Sequence, residues 1–119
     1  MERADLISLL TGDNAADVAC RKALELGADF RVSTDEGEPI PANELAPTYR
    51  RRDEGTRRQG ITTLGFDVAV KTLESLGEEP VLLGRVAADE PPMSFVLFLT
   101  PDAGSVLACI GVGELPRRS

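Results

Sequence analysis

The sequence predicts an α+β domain in which two or three N-terminal and central helices pack on an antiparallel sheet that ends in a three-stranded C-terminal meander. Three observations carry that expectation. Apolar residues recur at three- and four-residue spacing in the first 26 positions, three runs of strand composition follow residue 80, and turn-forming segments separate those runs. The 119 residues suit a single domain, 1–119, which buries roughly two-thirds of the surface exposed by its unfolded chain. No internal repeat and no Gly/Ser-rich linker divides it. With no Trp, one Tyr and four Phe, the core has to be largely aliphatic.

Leu6, Ile7, Leu9 and Leu10 follow an acidic first turn and stop at Thr11-Gly12, which predicts a short first helix. Asp13 or Asn14 can cap a second helix running to Leu26, because an Asx side chain accepts a bond from an otherwise unpaired N–H of the first turn. Ala16, Ala19, Cys20, Ala23 and Leu24 form its inner face, and Gly27 is its left-handed stop. Residues 30–34 alternate as a short strand before the turn Asp35-Glu36-Gly37-Glu38-Pro39. Pro39, Pro41 and Pro47 oppose both a helix interior and a central strand, so 39–60 is expected to be a long or mobile loop.

Order resumes at Ile61. Phe66, Ala69, Val70, Leu73 and Leu76 lie on one helical face, with Thr62 or Thr63 as cap and Gly77 as stop. Phe66, Val68 and Val70 also alternate, but the length to Leu76 and the helix formers Lys71, Leu73 and Glu74 favour the helix. The meander strands are 81–88, 93–100 and 105–112. Gly84 marks a bulge or a close backbone approach, and Pro101-Asp102-Ala103-Gly104 a tight hairpin with Gly104 in the left-handed position.

Residues 95–99 and 106–110 are apolar at both parities, so both faces of the sheet need cover. Three modest helices cover one face. Phe95, Leu97, Leu99, Val106, Ala108 and Ile110 are therefore the expected apolar interface with a second copy of the chain or another protein. The competing arrangement folds 39–60 over the second face through Ile40, Leu45 and Tyr49.

The most distinctive local feature is Tyr49 followed by Arg50, Arg51, Arg52, Arg57 and Arg58. Guanidinium groups take phosphate or carboxylate oxygens two at a time, and a tyrosine ring can stack on a base, so these six are candidate partner-binding residues. Asp53 and Glu54 sit in the same segment, which makes a self-neutralised solvated surface the simpler reading. An acidic protein ranks ahead of nucleic acid as a partner, because the net charge of −7 opposes polyanions over the surface as a whole.

The chain contains no His, which removes Ser-His-Asp and Cys-His machinery and most catalytic zinc sites. No phosphate-binding Gly loop, dinucleotide fingerprint or nucleophile elbow occurs. Cys20 and Cys109 sit inside apolar patterns and read as small buried hydrophobes. Asp35, Glu36 and Glu38 offer three carboxylates where a calcium site needs six or more oxygens, so no metal and no cofactor is expected. No apolar run approaches the roughly 20 residues that cross a bilayer, and the first residues lack the pattern of a signal peptide; a cytoplasmic protein without membrane contact is expected. These features predict a small non-enzymatic protein-interaction or regulatory module that is homo-oligomeric or pairs with another protein. A small-ligand or carboxylate-based catalytic domain is the first alternative, and a nucleic-acid accessory protein contacting phosphates through the arginines is the second.

Overall fold

The computed structural model describes residues 1–32, 38–58, 61–89 and 92–114. In chain order the elements are α1 (Arg3–Leu9), α2 (Ala15–Glu25), β1 (Asp29–Val32), β2 (Ile40–Pro41), α3 (Ala42–Arg58), β3 (Ile61–Leu64), α4 (Phe66–Leu76), β4 (Pro80–Asp89), β5 (Pro92–Leu99) and β6 (Val106–Glu114). Every strand pair is antiparallel, and the order across the sheet is β1-β4-β5-β6-β3, with β2 pairing the start of β4. The fold is therefore α+β with the C-terminal meander β4-β5-β6 that the sequence predicts.

Local chemistry explains several element boundaries. The Asn14 side chain accepts from the Asp17 N–H at 3.1 Å and starts α2, and Gly27, at φ +100°, ends its descent toward β1. Arg3 locks α1 onto this corner: its guanidinium donates to the Leu24 and Ala28 carbonyls and lies 5.2 Å from the Phe30 ring centroid. Between β3 and α4 the chain turns at Gly65, at φ +71°, where a β-carbon would stand 2.5 Å from the Cys109 carbonyl oxygen. Both the backbone angle and the space require glycine there. Thr62 and Thr63 belong to β3 and do not cap α4, whose N-cap is Gly65.

Two details of the meander differ from expectation. In the β5-β6 hairpin the left-handed residue is Ala103, at φ +57°, and not Gly104. Asp102 Oδ1 holds that strained turn by accepting from the Gly104 N–H at 2.9 Å and from the Thr100 hydroxyl at 2.6 Å. Gly84 keeps regular register opposite Leu97 and marks a close approach, with the Leu99 side chain 3.1 Å from the site of a β-carbon. The irregularity in the sheet lies at Phe98/Leu99.

The largest correction concerns 39–60. Its described residues form β2 and the long helix α3, not a loop. Ala42, Ala46, Tyr49 and Asp53 are buried at successive intervals of four, three and four, a helical stripe facing the sheet. Pro47 is tolerated because it sits on the opposite, exposed side, where the carbonyl of exposed Asn43, which loses its helix partner, can be hydrated.

That helix changes the account of the sheet. One core cluster joins Leu6 of α1, Leu10 just past its end, and Cys20 and Leu24 of α2 to Leu82, Val86, Phe95, Leu97 and Leu99. A second, on the opposite face, joins Ala42, Ala46 and Tyr49 of α3 and Ala69, Val70 and Leu73 of α4 to Val81, Val96, Phe98, Ala108 and Ile110. The chain thus seals both faces of the central strands with its own helices. Phe95, Leu97, Leu99, Ala108 and Ile110 are buried within one subunit and Val106 is half-buried, so this set is core and not a free interface. The competing arrangement, with 39–60 over the second face, holds because Tyr49 supplies the apolar mass a polar segment otherwise lacks: its ring meets Phe98 edge-on at 5.2 Å.

Candidate functional site

Helical geometry disperses the arginines that stand together in the sequence. Successive residues of a helix point about 100° apart, so Tyr49 faces the sheet while its neighbours fan away from it. Arg50 reaches α4 and pairs with Glu74. Arg51 is exposed on the water side. Arg52 turns back toward the sheet beside Tyr49. Arg57 and Arg58 close the last turn of α3, and their side chains lie outside the described part of the structure.

What the fold assembles instead is a groove at the open corner of the α3/α4 face. Period-two alternation sends Arg31 of β1, Arg85 of β4 and Ser94 of β5 to this face, and antiparallel register sets Arg31 directly opposite Arg85. One cavity of about 220 Å³ is bounded by Tyr49, Arg52, Asp53, Thr63, Arg85 and Ser94. A second, of about 450 Å³, continues from Arg85 and Ser94 across β4 to Arg31 and Asp29. They share Arg85, Ser94 and Val96 and form one continuous depression. Among the described residues, Arg31, Arg52 and Arg85 have no ion-pair partner.

Asp53 anchors the inner end. It is only 7% exposed and accepts from the Thr63 hydroxyl at 3.0 Å, which ties α3 to the edge strand β3. Tyr49, 6% exposed, is the other buried polar group of the wall. Burial pushes its phenol above the ordinary value of 10.0, and the guanidiniums of Arg85 and Arg52 partly offset that rise. With its ring buried against Phe98, Tyr49 offers no free face for a base to stack on.

Cys20 and Cys109 are buried free thiols; a hydrogen bond with Cys20 and then desolvation push the Cys109 thiol far above its usual range, which suppresses the thiolate. Among the described residues no group of three or more Cys, Asp or Glu is placed to hold a metal ion. Asp35 and Glu36 of the acidic turn lie outside the described residues. No helix among the described residues is long and apolar enough to cross a membrane.

Sequence reasoning singled out Tyr49 and Arg52 and missed Arg31 and Arg85. A lone cation inside each of two apolar strand patterns was the available signal, since such a residue marks the part of a sheet face that stays in water. Compared with known proteins, the chain matches no family model, no curated protein and no solved structure.

Proposed function

We propose that the protein is a non-enzymatic interaction module that takes an acidic segment of a protein partner in the groove of Arg31, Arg52 and Arg85. One observation carries this reading: three guanidiniums from three different elements open onto one depression without a carboxylate partner among the described residues. Such groups bind carboxylates through charge-assisted, bidentate hydrogen bonds, and Ser94 adds a hydroxyl donor to the same lining. The net charge of −7 and the buried ring of Tyr49 favour a short acidic peptide over nucleic acid.

The single tyrosine and the absence of tryptophan make intrinsic fluorescence a direct reporter of this site. An oligoglutamate peptide should change Tyr49 emission saturably, with affinity falling as salt rises. Arg52→Ala and Arg85→Ala should each weaken binding by roughly tenfold, the worth of one hydrogen bond to a charged group. Arg51→Ala should leave it unchanged. No saturable signal, equal losses for all arginines, or tighter binding of a single-stranded oligonucleotide than of the peptide would reject the reading.

A second reading, carboxylate chemistry on a small ligand, is favoured by the placement of buried Asp53 in the wall of the inner cavity. Asp53→Asn separates the two. Removing a negative charge strengthens peptide binding if the groove is an anion site, whereas turnover that vanishes in this variant supports the catalytic reading.

A further inference from the structure

The opposite face of the sheet carries a different cavity. Helix α2 ends at Glu25 and α1 spans seven residues, so the two leave the sheet uncovered near β3 and the start of β5. A cleft of about 570 Å³ opens there, with Ala19 and Ala23 of α2 and Leu26 just past its end as one wall and Leu64, Met93 and Phe95 as its floor. Leu26 stands at its edge 75% exposed, unusual for a leucine beside so much apolar surface. The floor is smooth because β6 contributes glycine at 111, between Leu64 and Phe95, where a β-carbon would meet the Phe95 ring at 3.0 Å.

We propose that this cleft binds one uncharged lipophilic small molecule. Its volume lies within the roughly 300–1,000 Å³ of small-molecule sites, and its lining is aliphatic and aromatic. Among the described residues, the charged ones in that lining are Lys22 and Asp89, of opposite sign, so neither sign of ion is favoured by them. An uncharged molecule leaves both of them hydrated at the mouth while its apolar body displaces water from Leu26, Met93 and Phe95. This site is independent of the arginine groove, and either can fail without the other.

N-phenylnaphthylamine, an uncharged dye that brightens in apolar surroundings, tests the proposal on the full chain. One saturable site per chain is expected, with weaker binding of the anionic analogue anilinonaphthalene sulfonate. Leu26→Glu should weaken dye binding roughly tenfold or more, since it removes one buried aliphatic contact and adds a charge. Ala23→Phe should abolish binding by filling the cleft. Leu26 is exposed, so its variant keeps the fold even if the bulkier substitution does not. Non-saturable binding, preference for the anionic dye, or full affinity in Leu26→Glu overturns the proposal. So does sedimentation showing a dimer that Leu26→Glu splits, because a second copy would then be the occupant.

Discussion

The two faces of the sheet are built from the same strands yet expose opposite chemistries where the helices stop. Along β5, Phe95, Leu97 and Leu99 face α1 and α2 while Val96 and Phe98 face α3 and α4, and all five are buried. Toward the start of the strand the faces diverge: Met93 floors an apolar cleft, whereas Ser94 joins Arg85 and Arg31 in a polar groove. Covered sheet is apolar on both sides, so the uncovered corners are where the two faces differ. Their composition is what separates a surface suited to an anion from one suited to a lipophile.

The largest test asks whether the covered parts are equivalent. Phe95→Ala and Phe98→Ala, on opposite faces, should each cost about 3–5 kcal/mol in urea unfolding, the usual range for emptying a buried phenylalanine site. A cheap loss at Phe98 would break the comparison, because α3 would not then be sealing its face. Next in size is the seam between α3 and β3: Thr63→Val removes one donor to buried Asp53 and should cost about 1 kcal/mol by the same measurement.

Smaller effects separate binding from stability. Because burial raises the Tyr49 phenol above 10.0, the folded state holds that proton more tightly than the unfolded chain does. Its contribution is complete below pH 10.0 and is lost as alkali titrates the folded phenol, so wild type should weaken at high pH and Tyr49→Phe should lack that component. Combining Arg52→Ala with Arg85→Ala should shift stability by no more than about 0.5 kcal/mol. Ultraviolet titration of the double variant should show the phenol moving higher still, since both guanidiniums favour the phenolate. Least of all, bonds from Thr100 and the Gly104 N–H hold the Asp102 carboxyl below its ordinary 3.8. Its stabilisation is present above that pH and fades as acid titrates the folded carboxyl, a small loss that Asp102→Ala should remove.

The sequence made the meander, both N-terminal helices and α4 legible through local signals: alternation, an Asn cap, glycine stops and apolar spacing within one element. It concealed α3, because three prolines outweighed the stripe of Ala42, Ala46, Tyr49 and Asp53, and whether Pro47 breaks a helix depends on which side meets water. It concealed β3 as well, whose four residues become a strand only by pairing with β6.

By itself, then, the sequence determined that both faces of the central strands had to be buried, since apolar residues occupy both parities. What buries them was decided by tertiary structure, which brought α3 and α4 over the second face and placed Arg31 beside Arg85 through a strand pairing more than fifty residues apart in the chain. Periodicity records which way a side chain points within its own element. Which other element it meets depends on register and on the packing of distant segments, and no local pattern encodes that.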